Sequence, residues 1–270
     1  MITSTGNTQI RNLAALKKKA KERDRQDVFI VEGPKMFREA PRERIEQVYV
    51  SQSFLKDGKN RAMLEGGVFT EVSDAVFEGI SDTRTPQGIL CVVKQFHYSP
   101  EDLMPAGGPK EKVPLLLLLE SIQDPGNLGT MIRTAEGAGV TGILLCGETA
   151  DIYNPKVIRA TMGSIYRMPF FYTEDTARET ARWKRQGIRI YAAHLDGKRS
   201  YDAEDLTGPC AFMIGNEGNG LSSRCAALAD TWIRIPMGGQ VESLNAAVAA
   251  SVLLFEASRQ RRTARPGGGT

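Results

Sequence analysis

Apolar and polar positions along this chain switch repeatedly between a period near 3.6 and runs or alternations typical of strands, and the switches outline its elements. From Ile10 to Ala20 apolar side chains recur at helical spacing. VFIVEG then reads as strand, PKMFREA as helix, QVYVS as strand, a stretch near Ser53 to Leu64 as helix, and VFTEVS and ILCVVK as strands. Strands alternating with helices predict a small α/β layer domain. From Gln95 to Pro114 the chain turns to proline, glycine and charge (SPEDLMPAGGPKEKVP), which predicts a linker. Beyond it LLLLLE predicts a buried parallel strand, IRTAEGAG a helix closed by glycine, and GILLCG the next strand. NPKVIRATMGSIYRM and TARETARWKRQG read as helices, IRIYAAHL, CAFMIG and TWIRIPM as strands, and SLNAAVAASVLLFEASRQ as the final helix. The expected architecture is a doubly wound parallel sheet behind a smaller α/β domain. The boundaries follow as 1–98, a linker at 99–113, a second domain at 114–260, and a disordered tail at 261–270 that has nothing to bury.

Composition narrows the classes. The 270 residues are 41% hydrophobic and 25% charged, as in a globular protein with room for two domains. The formal charge of +3, from 35 basic and 32 acidic side chains, is too small to identify a nucleic-acid partner, so distribution must carry that argument. Lys17, Lys18, Lys19, Lys21, Arg23 and Arg25 cluster at and just after the first helix. They form a candidate phosphate-contacting set, with a merely solvated helix face as the plain alternative. The opening MITSTGNTQIRNLAALKKK has no apolar signal-peptide core, and the longest apolar run, Leu115 to Leu119, is too short to cross a bilayer, so a cytoplasmic protein is expected. Cys91, Cys146, Cys210 and Cys225 show no Cys-x-x-Cys spacing, and His97 and His194 are the only histidines. Neither a zinc site nor a disulfide framework is expected.

Gly137, Gly139 and Gly142 match Gly-x-Gly-x-x-Gly in the wrong context. They close a helix and lead into a strand, whereas a dinucleotide fingerprint follows a strand and opens a helix. Three other segments place chemistry at the carboxyl ends of strands, where α/β sheets hold their sites. In QDPGNLGTMIRTAEGAG, Asn127 and Arg133 follow strand LLLLLE; a helix cap and a surface ion pair are the bland readings. In FMIGNEGNGLS, Asn216 and Glu217 project from a loop with glycines at 215, 218 and 220. In IRIPMGGQVESLNAAVAA, a strand runs through a loop into a helix starting near Ser243. Ser243 reads there as its N-cap and Asn245 as a first-turn residue, while Ile235, Met237 and Leu244 are able to enclose an adenine read by loop backbone.

Taken in this order, NLGTMIRTAEGAG, IGNEGNGLS and IPMGGQVESLNAAVAAS resemble the three signature blocks of the SpoU, or TrmH-like, RNA 2′-O-ribose methyltransferases of the SPOUT superfamily. The resemblance spans Pro114 to about Gln260, and KERDRQDVFIVEGPKMFREA with SDTRTPQGILCVV resembles the ribosomal-protein-like substrate-binding domain often attached to that family. It implies a C-terminal SPOUT domain with a deep trefoil knot, S-adenosylmethionine as cofactor, RNA as substrate and a homodimer formed through the C-terminal domain. By the same resemblance, Asn127, Arg133, Glu217, Ser243 and Asn245 form the polar active-site set, and Gly215, Ile235, Met237 and Leu244 line the cofactor pocket. Ala246 and Ala247 depart from the valine and small residue often found after SLN, which touches pocket packing alone.

The family's mechanism assigns proton removal to the arginine matching Arg133, yet a guanidinium stays protonated. The reading adopted instead has Arg133 grip the phosphate next to the target ribose and polarise its hydroxyl, while Glu217 either orients Arg133 or takes the proton indirectly. No metal is required. The implied target is 23S ribosomal RNA; transfer RNA, and a non-catalytic RNA-binding role in ribosome assembly, are the alternatives.

Overall fold

The computed structural model describes residues 1–105 and 112–264. Part of the expected linker, 106–111, and of the expected tail, 265–270, lie outside them. In chain order the first elements are α1 (Thr8–Lys18), α2 (Ala20–Gln26), β1 (Val28–Glu32), α3 (Pro34–Glu39), β2 (Ile45–Ser51), α4 (Gln52–Lys56), α5 (Gly58–Ala62), β3 (Thr70–Val72), α6 (Asp74–Ile80) and β4 (Ile89–Lys94). There follow β5 (Leu115–Glu120), α7 (Pro125–Ala138), β6 (Gly142–Cys146), α8 (Pro155–Thr161), β7 (Phe170–Tyr172), α9 (Thr176–Arg185) and β8 (Arg189–Ala193). The last are β9 (Arg199–Ser200), β10 (Cys210–Ile214), α10 (Ser223–Ala226), β11 (Thr231–Arg234) and α11 (Ala246–Thr263). They form two compact units, one of 1–96 with 151–166 and one of 97–150 with 167–270. The sequence reading assigns 151–166 to the second domain, whereas the structure groups α8 with the first unit, where Tyr153 bonds the backbone of Phe96.

The first unit is built on a four-stranded sheet in the order β1-β4-β2-β3, antiparallel except for the β2/β3 pair. The helical spacing of α1 is explained by Ile10, Leu13 and Leu16, which are buried in one cluster with Ile30, Tyr49 and Phe77. Full burial of each such leucine contributes roughly 1.5–3 kcal/mol. The expected single basic helix is two helices. The chain leaves helical geometry at Lys19, whose backbone is extended at φ −123 and ψ 114.

The second unit carries a seven-stranded sheet in the order β7-β6-β5-β10-β8-β11-β9, in which every pair is parallel. LLLLLE forms its interior strand β5, buried on both faces between β6 and β10. From β5 the chain winds outward through β6 to β7, while β10 inserts on the other side of β5, so the strand order reverses between β5 and β10. That reversal is where α/β sheets open a crevice at the carboxyl edge. Helix α7 ends as expected on a left-handed glycine, Gly139 at φ 85.

Two boundary expectations change. Within the expected linker, Ser99 and Asp102 bond to each other around a short turn, and Leu103 is fully buried against the second unit's core. At the other end, Arg261, Arg262 and Thr263 belong to α11 rather than to a tail. The Arg261 guanidinium explains this, since it donates to the carbonyls of Leu206, Val113, Pro114 and Gly208. All four cysteines are free and buried. No described helix is long and apolar enough to cross a membrane.

Candidate active site

Strand β5 delivers the chain to a strained turn. Ser121 holds φ +54, unusual for a residue with a side chain, and is fixed there by its N–H donating to Cys146 O at 3.0 Å and by its carbonyl accepting from Asn216 Nδ2 at 2.8 Å. Helix α7 starts immediately afterwards. Asp124 caps it by accepting from Asn127 N at 2.7 Å, and Pro125 occupies the first helical position, where no N–H is needed.

The loop after β10 closes on itself. A Cβ on Gly215 would stand 2.1 Å from both Gly220 C and Leu221 N, so glycine is required for this approach. Asn216 and Gly220 exchange backbone hydrogen bonds across the loop, and Asn216 Oδ1 accepts from Gly218 N and Asn219 N. The loop thereby presents Glu217 toward the start of α7. Its carboxylate accepts from Gln123 N at 3.3 Å, Asp124 N at 3.2 Å and Asn127 Nδ2 at 3.1 Å. Burial pushes the Glu217 carboxyl up, but the Asn127 amide and the backbone N–H donors outweigh it and hold the group below its ordinary value.

The third contribution comes from the start of α11, which begins at Ala246 with Asn245, not Ser243, as its N-cap. Asn245 Oδ1 accepts from Ala247 N at 2.9 Å and Val248 N at 3.3 Å. With its oxygen committed to the helix, Asn245 turns its Nδ2 to Asn127 Oδ1 at 3.0 Å. Asn127 must then aim its own Nδ2 at Glu217. One relay of fixed polarity thus joins Asn245, Asn127 and Glu217 across the crevice. Among the described residues, 236–244 make no hydrogen bond, backbone or side chain, so their donors and acceptors stand unspent. Ile235, Met237 and Leu244, at the two ends of this loop, are half-buried.

Two of the expected polar residues stay outside the relay. Arg133 is exposed on α7 and Ser243 is exposed in the loop, and neither side chain makes a hydrogen bond or ion pair with a described residue. Glu217 is not bonded to Arg133, because its oxygens are taken by Gln123, Asp124 and Asn127. Of the basic set in the first unit, Lys18, Lys19 and Lys21 are exposed. Lys17 donates to Ser81 O, and Arg25 bonds Glu22 at 2.8 Å. Arg23 is 3% exposed and bound to Leu16 O and Asp151, which makes it a structural residue of that unit rather than a phosphate contact. Asp124 and Ser121 were missed. Aspartate before proline at a helix start is a readable capping signal, whereas nothing in the sequence marks the positive φ of Ser121.

Residues 114–255 match the SpoU rRNA Methylase family, and residues 7–91 match the MRM3-like substrate binding domain. The 23S rRNA (guanosine(2553)-2'-O)-methyltransferase RlmP of Bacillus subtilis is 33% identical over 94% of this chain and 97% of its own. Among solved structures, the AdoMet-bound rRNA methyltransferase from Sinorhizobium meliloti superposes with a TM-score of 0.80 at 33% identity, covering 96% of this chain and 97% of that one. The SpoU methyltransferase AviRb from Streptomyces viridochromogenes, in complex with AdoMet, gives a TM-score of 0.84 at 25% identity, covering 96% and 100%. With a matched region reaching from before β5 through most of α11, a second match over the first unit, and relatives alike across nearly the whole chain, the protein belongs to the SpoU rRNA methylase family.

Proposed function

We propose that this chain methylates a ribose 2′-hydroxyl of 23S ribosomal RNA, using S-adenosylmethionine. The observation that carries the reading is the relay Asn245–Asn127–Glu217, which ties the three signature segments together at the carboxyl edge of the parallel sheet. The cofactor fits the residues present. The loop 236–244 offers unspent backbone groups for an adenine edge, and Ile235, Met237 and Leu244 offer apolar surface at its ends. Gly215 keeps the opposing loop tight. When bound, S-adenosylmethionine supplies an electrophilic methyl group on a sulfonium. The chain's own residues supply position. Arg133, whose side chain engages none of the described residues, grips a phosphate beside the target ribose and polarises the 2′-hydroxyl, whose proton passes to solvent. Ser243, equally unengaged, adds a hydroxyl to the ribose contacts. Glu217 stays ionised and acts as the anchor of the relay, not as the first proton acceptor.

Lys18, Lys19 and Lys21 contribute phosphate contacts from the N-terminal substrate domain. The second domain, from 114 onward, is threaded as a trefoil knot on this reading. It pairs with a second copy through α11, where Val248 and Phe255 are 48% and 47% exposed. The deciding experiment incubates the full chain with methyl-labelled S-adenosylmethionine and, separately, unmodified 23S, 16S and transfer RNA. Label is expected in 23S RNA as an alkali-resistant 2′-O-methyl dinucleotide. Label confined to bases, or no label in any RNA, refutes the reading, and label in transfer RNA alone moves the target to that class.

A further inference from the structure

The first unit holds a cavity of about 150 Å³ that methyl transfer does not use. One side of it is apolar and buried, formed by Ile30, Met36, Ile80, Leu90 and Ile158. Cationic groups line it too: the side chains of Lys35, which stands a loose 3.8 Å from Glu39 Oε1, and Arg159 are 50% and 49% exposed. The lining carboxylates are already spent. Glu32 accepts from Ser81 Oγ at 2.7 Å, Thr83 Oγ1 at 3.0 Å and Asp82 N at 3.0 Å, and Asp82 pairs with Arg159 at 2.7 Å.

Two lining residues present side chains to the cavity that the fold does not hold by a hydrogen bond among the described residues. The Gln87 side-chain amide is exposed and makes no hydrogen bond with a described residue. It lies beside Gly33, whose φ of +105 calls for glycine, and a Cβ there would stand 2.4 Å from Gln87 Oε1. Met162, whose φ of +52 is that of the left-handed cap closing α8, is 39% exposed at the same cavity.

We infer that this cavity receives one unpaired nucleobase of the substrate RNA. The inference rests on the RNA-modifying reading for its class of macromolecule and goes beyond it in naming the subsite. A cavity of this size accepts a single small aromatic ring. A splayed-out base offers apolar faces, a hydrogen-bonding edge and flanking negative charge, and the cavity offers an apolar wall, a free amide and cations. Gln87 reads the base edge, the Met162 thioether lies against the ring, and Lys35 holds an adjacent phosphate. A phosphate alone would leave the apolar wall unused.

The test uses the full chain and an in vitro transcript of 23S ribosomal RNA. Ultraviolet cross-linking with mass spectrometry should find nucleobase adducts on peptides carrying Gln87 or Met162. Gln87→Ala should weaken RNA binding about five- to tenfold without altering its salt dependence, because an edge contact releases no counterion. Lys35→Ala should instead lower the salt slope by about one. Both side chains are exposed, so neither variant threatens folding. Adducts found only elsewhere, or Gln87→Ala binding within twofold of the parent, would overturn the subsite. Methylation measured in parallel separates the two claims. Ribose methylation by the parent with no effect of Gln87→Ala refutes the subsite alone, and base adducts at Gln87 without ribose methylation of any RNA refute the enzymatic reading alone.

Discussion

Removing the Arg261 guanidinium should destabilise the second unit by about 3 kcal/mol, a figure that follows from what the group holds. Arg261 Nε donates to Leu206 O at 3.0 Å, Nη1 to Val113 O at 3.1 Å, and Nη2 to Pro114 O at 3.0 Å and Gly208 O at 2.6 Å. It therefore pins the end of α11 to both the segment entering β5 and the segment entering β10. Hydrogen bonds to a charged donor are worth about 1.5–3 kcal/mol each, which would suggest several kcal/mol in total. Burial lowers the Arg261 pKa, however, so the guanidinium bears a desolvation cost that offsets part of this gain. Some of the loss in an alanine variant is also recovered, because water reaches the exposed Gly208.

Thermal or urea unfolding of Arg261→Ala followed through the second unit's transition should show this loss, equivalent to a fall in Tm of roughly 6–12 °C. Arg261→Lys should recover little. A single ammonium lacks the planar fork that spans carbonyls on different segments. Truncation after Gln260 should cost as much as the alanine variant. A loss below about 1 kcal/mol in both variants would show that water satisfies these carbonyls and that the helix end frays, as the tail expectation held.

The remaining predictions concern the crevice. Arg133→Lys should reduce single-turnover methylation almost as far as Arg133→Ala, with cofactor affinity and folding nearly intact; parental rates in the lysine variant would dismiss the two-contact role. For Glu217→Gln, the depressed folded-state pKa means that the carboxylate stabilises the fold above its unfolded pKa of roughly 4.3 and that this contribution is lost as pH falls through the folded value. The stability gap between parent and variant, discounted to about 1 kcal/mol for solvent exposure, should therefore be full at neutral pH and close in acid. A gap that is the same at pH 7 and pH 3 would refute the charge-based account. Gly215→Ala should cost about 1–3 kcal/mol and most of the activity, because backbone, not a flexible side chain, occupies the space its Cβ needs. Normal methylation by that variant would show that the loop opens without consequence.

What the sequence made legible was set by local physics. β5 could be read because five consecutive leucines fit only a strand covered on both faces, and the end of α7 because Gly139 adopts the left-handed conformation that glycine favours. β7 and β9 escaped because three and two residues are too few to show a period. The sequence reads the start of α11 two residues early because Ser243 and Asn245 are both good caps, and only the partner at Asn127 distinguishes them. Arg23 looked like its lysine neighbours. Its burial depends on Asp151, far away in sequence, and no local pattern carries that contact. In the same way the membership of α8 in the first unit is a matter of tertiary contacts, while its sequence lies inside the matched methylase region.

The crevice divides its polar residues into two kinds, and the division bears on mechanism. Asn245, Asn127 and Glu217 are fully engaged with one another and with backbone, each amide orientation dictated by the next, so they hold a geometry set before any ligand arrives. Arg133 and Ser243 are exposed, and their side chains bond to none of the described residues. An arginine already paired to Glu217 would have to break that exposed pair, at a cost of up to about 1 kcal/mol, before it could take a phosphate. Leaving it unpaired means its charge-assisted contacts form only with substrate, where they favour the transition state if they tighten as the hydroxyl gives up its proton. The relay also explains why the three signature segments must be kept together. Asn127 sits between a helix cap and a carboxylate, so replacing it unties α11 from the β10 loop while leaving every strand of the sheet in place.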